Sequence, residues 1–522
     1  MKTTIFLILA IIAAGCSTDR KQAGTGDQSG YYTEKYRPQY HFSPEAKWMN
    51  DPNGMVFYDG EYHLFYQHYP DSTVWGPMHW GHAISKDLVH WEHMPIALYP
   101  DSLGMIFSGS AVVDWQNTSG FGTTDNPPLV SIYTIHNMEQ EQAGRNDFQS
   151  QGIAYSLDKG RSWTKYEHNP VLPNQGIRDF RDPKVIWHEN SQKWIMVLAA
   201  QDHIEFYSSP NLKDWTFTGD FGKEMGAHGG VWECPDLFQL DVQGTDEKHW
   251  VLLVSINPGG PNGGSATQYF VGDFDGTTFS TNQAETQWVD YGRDNYAGVT
   301  WSDVPETDGR RLFIGWMSNW SYATVVPTEK WRSATTLPRE LTLLKNGNDY
   351  LLASVPVNEL AILREEKVDV PSQIISGNVA VDTKNVTVNR SEMIYRFQLK
   401  NDSQFGVSEE LGVKLGNGKG ESFIIGYSPA NAIFFTDRTQ AGQNSFSDNF
   451  ASRSNAKYEP QNLMEVRIFV DEASVEVFVD GGKLVLTDIV FPTEPFNKVE
   501  LYSTHGTFKL SGAEIWSLKS IW

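Results

Sequence analysis

From residue 31 to about residue 345, short apolar runs alternate with clusters of Gly, Pro, Asn and Asp. The runs are rich in aromatic and β-branched side chains, as in residues 54–58 (GMVFY), 62–66 (YHLFY) and 194–198 (WIMVL). Such runs, bounded by turn residues, are typical of β-strands. Because no long stretch shows a convincing helical period, the pattern predicts an all-β protein.

A weak repeat runs through the same part of the chain. Serine-containing turns lead to Trp91, Trp163 and Trp215, and a looser copy leads to Phe279, so these aromatic residues lie 72, 52 and 64 residues apart. Self-similarity at this period indicates β-propeller blades of four strands each. About 315 residues at roughly 60 per blade predict a five-bladed β-propeller over residues 31–345.

The pattern changes near residue 345. Tryptophan becomes rare, and residues 346–366 mix Leu, Glu and Arg, which suits a linker with a short helix. Strand-like alternation returns afterwards, for example in residues 474–480, which precede a Gly-Gly turn and a returning strand. Residues 367–522 are therefore predicted to form a C-terminal β-sandwich. A sixth blade or a swapped extension is the alternative.

The N-terminus has the features of a bacterial export signal. Lys2 precedes an apolar run over residues 5–14, which is too short to span a bilayer, and Ala13, Ala14 and Gly15 lead to Cys16. This pattern resembles a lipoprotein signal peptide (residues 1–15) with lipidation at Cys16, followed by a flexible tether (residues 16–30). The prediction is an exported, membrane-anchored lipoprotein facing the periplasm or the cell surface. The alternative is an ordinary cysteine within a cleaved signal peptide.

Charge and cysteine content exclude several classes of function. Lys and Arg number 41 against 64 Asp and Glu, a net charge of −23, which disfavours a nucleic-acid partner. Two cysteines cannot build a disulfide framework or a Cys-based zinc site. His79, His82, His90 and His93 lack zinc-ligand spacing, so neither a metal nor another cofactor is expected.

Three motifs carry carboxylates beside turn residues: residues 48–54 (WMNDPNG), 180–183 (FRDP) and 232–235 (WECP). Taken singly, each has a structural reading: an Asx-Pro turn, a surface ion pair, and a partly buried glutamate. Cys234 as a nucleophile is disfavoured because no histidine partner can be placed beside it. Together, the motifs supply two carboxylates for a retaining glycosidase and a third to hold a sugar hydroxyl. Because the first strand of each propeller blade lines the central channel, these distant motifs can meet there.

The order of these motifs resembles glycoside hydrolase family 32, the family of fructan hydrolases and invertases. The resemblance covers nearly all of residues 36–345, and residues 467–478 resemble the family's C-terminal sandwich. It rests on residues 48–54, Gln67, 75–76, 78–82, 107–110, 181–183, 233–234, 316–320 and 332–341. Departures occur at Asn295, where relatives usually carry Phe, and at Val74, where they often carry Gln.

The resemblance implies roles for particular residues. Asp51 corresponds to the nucleophile, Glu233 to the general acid/base and Asp182 to the transition-state stabiliser, with Arg181 beside it. The terminal fructose pocket is implied to be shaped by Asn50, Gln67, Trp75, Phe107, Ser108 and Trp316.

The expected function is a retaining, exo-acting glycosidase that releases terminal fructose from levan, inulin-type fructans or sucrose. Three alternatives stay open at this stage: an endo-acting levanase, a lipid-anchored fructan-binding protein without catalysis, and a fructosyltransferase.

Overall fold

The structure is a computed structural model, and it describes residues 31–399 and 409–522. The predicted signal peptide, the tether and Cys16 lie outside these residues.

Residues 47–356 form five sheets, and the predicted five-bladed propeller is confirmed. The first blade contains β1 (Lys47–Tyr58), β2 (Glu61–Tyr69), β3 (His79–Ser85) and β4 (Trp91–Leu98). The second contains β5 (Met105–Val113), β6 (Leu129–His136), β7 (Gln149–Ser156) and β8 (Thr164–Lys165). The third contains β9 (Phe180–His188), β10 (Lys193–Ala200), β11 (His203–Ser209) and β12 (Thr216–Phe221). A short helix, α1 (Met138–Gln142), lies between β6 and β7.

The fourth blade contains β13 (Val231–Asp241), β14 (Lys248–Asn257) and β15 (Ala266–Phe274), with β16 (Phe279–Ser280) and β17 (Gln287–Trp288) both paired to β15. The fifth contains β18 (Tyr296–Thr300), β19 (Arg311–Trp316), β21 (Arg339–Asn346) and β22 (Asp349–Pro356). Between β19 and β21, β20 (Trp331–Arg332) leaves this blade and pairs in parallel with β1. This pairing ties the last blade to the first and closes the ring.

The propeller ends later than the sequence pattern indicates. Residues 349–356, predicted to belong to the linker, form β22 and pair along their whole length with β21. The cause is a tight turn at Gly347, whose φ of +63° suits glycine and returns the chain onto the same sheet. A 3₁₀ helix at Asn358–Leu363 then leads to the second domain.

The second domain is the predicted β-sandwich. Its strands are β23 (Arg364–Val370), β24 (Gln373–Ile375), β25 (Asn378–Val381), β26 (Ser391–Gln398), β27 (Leu411–Gly416), β28 (Ser422–Ser428), β29 (Ile433–Gln440), β30 (Arg453–Lys457), β31 (Leu463–Asp471), β32 (Ser474–Val479), β33 (Leu484–Ile489), β34 (Lys498–Ser503) and β35 (Phe508–Leu518), with a 3₁₀ turn at Pro429–Asn431. One sheet has the order β23-β35-β26-β31-β32-β33, with β24 added to β35, and the other β25-β34-β27-β28-β29-β30.

Apolar side chains hold both domains together. Within the sandwich, the inward-facing residues of the two sheets form one cluster that includes Met393, Val413 and Val477. A second cluster crosses the domain boundary, because Phe469 and Phe478 of the sandwich pack with Trp48 and Leu337 of the propeller. The strand that carries the first carboxylate motif is therefore supported by the second domain.

Candidate active site

The five inner strands of the propeller, β1, β5, β9, β13 and β18, pack side by side around the channel. Each departs from regular pairing in its N-terminal part: between Met49 and Pro52, Ile106 and Gly109, Arg181 and Lys184, Glu233 and Asp236, and Tyr296 and Val299. Bulges turn a side chain away from its regular direction and are common next to active sites. Here Asp182, Cys234 and Ala297 adopt positive φ values of 65°, 45° and 52°. The bulges bring residues from all five blades to one place.

Asp51, on β1, is almost completely buried. Its Oδ2 accepts a hydrogen bond from Ser108 at 2.7 Å and lies 3.6 Å from the Cys234 thiol. Burial, and after it the charge of Glu233, raises the pKa of Asp51. Its Oδ1 is buried and has no hydrogen-bond partner among the residues that the structure describes. One carboxylate oxygen is thus held in place, while the other makes no hydrogen bond with the described residues.

Asp182, on β9, is anchored through its backbone and its carboxylate. Its N–H donates to Thr134 Oγ1 at 2.9 Å, and its Oδ2 accepts from the Cys234 N–H at 3.1 Å and lies 3.5 Å from the Cys234 thiol. Burial raises the pKa of Asp182 to about 7; the Arg181 guanidinium opposes this shift, and the nearby Glu233 and Asp51 add to it. Cys234 therefore bridges two carboxylates by hydrogen bonds.

Glu233, on β13, is held by a guanidinium and a phenol. Arg181 donates to its Oε1 from Nε at 3.1 Å and from Nη2 at 2.9 Å, and the Tyr296 hydroxyl donates to its Oε2. The side chain is 18% exposed, more than Asp51 or Asp182. Glu233 is thus fixed in orientation at the more solvent-accessible side of the carboxylate cluster.

These groups line a cavity of about 220 Å³, the carboxylate pocket. Its walls are formed by Asn50, Asp51, Gln67, Trp75, Phe107, Ser108, His136, Glu141, Phe148, Gln149, Asp179, Arg181, Asp182, Glu233 and Trp320. The Gln67 amide is oriented by donating to Asn53 Oδ1 at 2.9 Å and to the Ile106 carbonyl at 3.0 Å. Trp75 and Phe107 meet edge to face. Nine of the ten predicted site residues therefore meet in one pocket.

The tenth, Trp316, lies behind the pocket wall. Its side chain is fully buried and packs against Trp320 and Trp48, with ring centroids 4.9 and 6.2 Å apart. Trp320, four residues later, forms the wall itself. Both tryptophans belong to the segment 316–320, and the sequence does not reveal which of them faces the channel.

Sequence reasoning missed several polar groups at the site. The Tyr296 hydroxyl, the Gln149 amide and the carboxylate of Asp179, which accepts from Arg181 Nη1 at 2.7 Å, lie outside the three carboxylate motifs. Asn295, the departure from the family pattern, does not line the pocket. It is buried, and its amide donates to Asp290 at 3.2 Å.

The pocket is closed at its inner end. Below the carboxylates, Lys184 crosses the channel, lies 3.2 Å from Asp236 and donates to the Thr300 carbonyl at 2.7 Å. The free space at this level is only about 10 Å³. A ligand can therefore enter from one side only.

Within residues 31–399 and 409–522, no three His, Cys, Asp or Glu side chains are grouped so that they could hold a metal ion. The same ranges contain no helix long and apolar enough to cross a lipid bilayer.

Comparison with known proteins gives matches over almost the whole chain. Residues 41–355 match the Glycosyl hydrolases family 32 N-terminal domain, and residues 359–517 match Glycosyl hydrolases family 32 C terminal. The chain is 51% identical to a levanase of Bacillus subtilis (strain 168) over 499 residues, which cover 95% of this chain and 72% of the levanase. It is 40% identical to an extracellular exo-inulinase of Aspergillus awamori over 94% of this chain and 96% of that protein.

Solved structures agree with this result. The crystal structure of the Aspergillus awamori exo-inulinase superposes with a TM-score of 0.85 at 37% identity, covering 94% of this chain and 100% of that one. A β-fructofuranosidase of Schwanniomyces occidentalis, solved in complex with fructosyl-erythritol, superposes with a TM-score of 0.84 at 34% identity over 95% of this chain and 100% of that one.

Proposed function

Because the chain belongs to glycosyl hydrolase family 32 and is a glycosidase of the levanase and exo-inulinase type, we propose that it releases terminal fructose from β-fructosidic chains with retention of configuration. Its substrates are levan, inulin-type fructans or sucrose. The observation that carries this proposal is the convergence of three carboxylates from three blades in one closed pocket.

In the first step, Asp51 Oδ1 attacks the anomeric carbon of the terminal fructose. The glycosidic C–O bond breaks, and Glu233 gives its proton to the departing oxygen, leaving a fructosyl ester on Asp51. This assignment is supported by the lack of a hydrogen-bond partner for Oδ1 and by the hydrogen bond that fixes Oδ2. Oδ1 is therefore the Asp51 oxygen whose lone pairs are not engaged by the described residues.

In the second step, water replaces the leaving group. Glu233, now ionised, takes a proton from a water molecule while the water oxygen attacks the anomeric carbon. The ester bond to Asp51 breaks, and the Asp51 carboxylate is regenerated. Arg181 and Tyr296 hold Glu233 in one orientation for both proton transfers. Asp182 accepts hydrogen bonds from fructose hydroxyls and stabilises the positive charge that develops on the ring.

The closed pocket favours action at chain ends. Pockets for drug-sized ligands measure about 300–1,000 Å³. The carboxylate pocket, at about 220 Å³, is below that range and suits a single sugar ring. Since the Lys184–Asp236 pair blocks the channel beneath it, a polymer cannot thread through.

Chromatography of the earliest products from levan and inulin tests this proposal. Exo-action gives fructose as the first product. A ladder of shorter oligomers would indicate endo-action, products longer than the substrate would indicate a fructosyltransferase, and no products at all would indicate a binding protein. Any of these three patterns would replace the proposal.

We further propose that Cys16 carries the lipid of an exported lipoprotein. The support is the sequence of residues 1–30, and the Aspergillus relative is named extracellular. Several acyl chains anchor a protein stably, whereas one binds only weakly. A Cys16→Ala variant is expected to move from the membrane fraction to the soluble fraction with unchanged activity. Retention in the membrane fraction would exclude lipidation at this position.

A further inference from the structure

The propeller has a second large cavity at the end of the channel opposite the carboxylate pocket. Its volume is about 470 Å³, roughly twice that of the carboxylate pocket. It is lined by the C-terminal parts of the inner strands, among them residues 184–187 and 237–239. Because strands rise about 3.3 Å per residue, Trp187 lies roughly 15 Å from Asp182 along β9. We call this space the distal cavity.

Indole rings held in fixed positions form part of its wall. The Trp115 N–H donates to Asp303 Oδ1 at 2.9 Å, and the Trp187 N–H donates to Glu189 Oε2 at 2.8 Å. Trp115 is nevertheless 55% exposed. A large aromatic side chain that is both exposed and held in place loses little conformational entropy when a ligand packs on it. The wall is therefore arranged in advance for contact with a ligand.

Two further donors on the wall are left free by the protein. The Arg311 guanidinium lies over the Phe238 ring, 5.1 Å from its centroid, and has no hydrogen bond or ion pair with the described part of the chain. The Trp250 ring packs against Phe274, and its N–H likewise has no partner among the residues described. Both groups can donate to a hydroxyl in the cavity.

The lining of the distal cavity carries charges of both signs. Lys184 is already paired with Asp236, and the other charged side chains of the lining are Arg311, Glu189 and Asp303. With a net charge of −23, the whole chain repels anions. Sugars present apolar C–H faces to aromatic rings and hydroxyls to polar groups, and ligand sites combine aromatic walls with a few directed polar groups in this way. A neutral, polyhydroxylated ligand fits this lining better than an ion does.

We propose that the distal cavity binds a segment of a fructan chain, with sugar rings stacked on Trp115, Trp187 and Trp250 and hydroxyls accepting from Arg311. The identity of the sugar as fructan rests on the proposed function. Because the Lys184–Asp236 pair separates the two cavities, the bound segment is not the one being cleaved. The distal cavity holds polymer at the protein surface and raises its effective concentration.

Isothermal titration with an inulin hexasaccharide tests binding directly, in an Asp51→Ala background that prevents turnover. This protein is expected to bind two molecules per chain. When Trp187→Ala and Trp250→Ala are added to this background, the protein should bind only one hexasaccharide per chain. Phe217→Ala is the matched control, because Phe217 is 51% exposed but lies on the outer strand β12, outside the cavity. The control protein should still bind two hexasaccharides per chain.

Activity provides a second readout in the catalytically competent protein. The Trp187→Ala/Trp250→Ala variant should keep kcat/KM for sucrose within about twofold and lose about tenfold on long levan, because only a long chain can occupy both sites. Arg311→Met, which keeps the stem over Phe238, should weaken the second binding event by about tenfold without removing an indole. If the double variant does not fold, Arg311→Met tests the distal cavity in its place.

A stoichiometry of one in the Asp51→Ala protein would overturn the inference, as would equal binding of maltohexaose and the inulin hexasaccharide at the second site. A dimer in sedimentation velocity that the double variant abolishes, without any second sugar, would assign the cavity to a second copy of the chain instead. Failure of the proposed function is distinct: the unmodified protein would then hydrolyse neither sucrose nor fructan.

Discussion

At the residue scale, the carboxylate pocket concentrates negative charge around one guanidinium. Asp51, Asp182 and Glu233 all approach one another, and Arg181 donates hydrogen bonds to Glu233, Asp179 and Gln149. Crowded buried carboxylates destabilise the folded state when all are ionised. The arrangement makes sense if the charge is needed to stabilise a cationic sugar ring.

The two reacting carboxylates should dominate turnover. Asp51→Ala is expected to lower kcat by about 10⁴-fold or more, since no group replaces the nucleophile. Glu233→Gln should lower it by about 10²–10⁴-fold, the usual size of general acid–base catalysis. Steady-state hydrolysis of sucrose measures both. Glu205→Gln is the control, because its side chain is 13% exposed, close to the 18% of Glu233, but lies away from the pocket. Near-normal turnover by either pocket variant would refute its assignment.

Asp182→Asn should separate binding from transition-state stabilisation. The amide still accepts from Cys234 but carries no charge to oppose the developing oxocarbenium ion. At pH 8, above the raised pKa of Asp182, we expect kcat to fall by on the order of 10²-fold or more while KM changes little. A raised KM with unchanged kcat would mean that Asp182 serves only to bind the substrate.

The same substitution should alter stability in a pH-dependent way. With its pKa raised to about 7, Asp182 stays protonated in the folded chain where the unfolded chain has released the proton. Stability is therefore lost as pH rises from about 4 to about 7. Asn cannot ionise, so the variant should be more thermostable than the parent at pH 8 and similar to it at pH 4. A constant difference in Tm across this range would contradict the shifted pKa.

At the scale of elements, irregular inner strands create the site. A regular strand alternates its side chains between two faces, but bulges in all five inner strands redirect selected side chains toward the channel. In β1 the second irregularity, between Asn53 and Val56, contains Gly54 at a φ of +52°. This glycine allows the strand to bend three residues after Asp51.

Gly54→Ala is therefore expected to disturb both fold and site. A Cβ there would lie 2.7 Å from the Trp80 ring and 2.8 Å from the Phe65 ring, in addition to the backbone strain of positive φ. We expect a loss of about 2–4 kcal/mol in the free energy of unfolding and reduced kcat. Gly60→Ala is the control: φ is +83°, but nothing lies within 4 Å of the added Cβ, so about 1 kcal/mol and full activity are expected. Urea denaturation compares them; equal losses would show that packing around Gly54 is unimportant.

At the scale of the whole molecule, a buried polar network joins the propeller to the sandwich. Glu476 of β32 accepts from Arg339 of β21, from the Leu337 N–H at 2.8 Å, and lies 2.9 Å from His41 Nε2. Arg339 also donates to Asp290 at 3.1 Å. Burial opposes ionisation, but Arg339 and His41 lower the pKa of Glu476 to about 2. Burial lowers the pKa of His41, but the hydrogen bonds that its ring donates to Asp471 and Glu476 outweigh burial and raise this pKa to about 9.

Glu476→Gln should weaken the union of the two domains. Removing one partner leaves buried charges without compensation, which costs about 3–5 kcal/mol. The parent should lose stability in acid, as Glu476 is protonated toward pH 2, and again as pH rises from about 6.5 to 9, where His41 loses its proton. Thermal unfolding across pH measures both effects. Glu465→Gln, in a half-exposed pair with Arg396 within the sandwich, should cost at most about 1 kcal/mol. A similar cost for both variants would show that the network does not hold the domains together.

The sequence by itself determined the all-β class, the five blades, the sandwich and the three carboxylate motifs. These features are local: turn residues bound strands, a repeated turn marks each blade, and a motif keeps its residues within a few positions. The predicted glycosidase class is confirmed by the comparisons, whereas the individual roles of Asp51, Asp182 and Glu233 stay predictions.

Only the tertiary structure decided which groups meet. Three features of the site depend on how strands from separate blades come together. They are the Cys234 thiol between two carboxylates, the hydrogen bond from the Tyr296 hydroxyl to Glu233, and the position of Trp320 rather than Trp316 in the pocket wall. The Lys184–Asp236 closure, the distal cavity and the network around Glu476 likewise join residues tens to hundreds of positions apart. Periodicity and turn chemistry act over a few residues, so they specify strands; ring closure and domain packing determine which side chains face the same space.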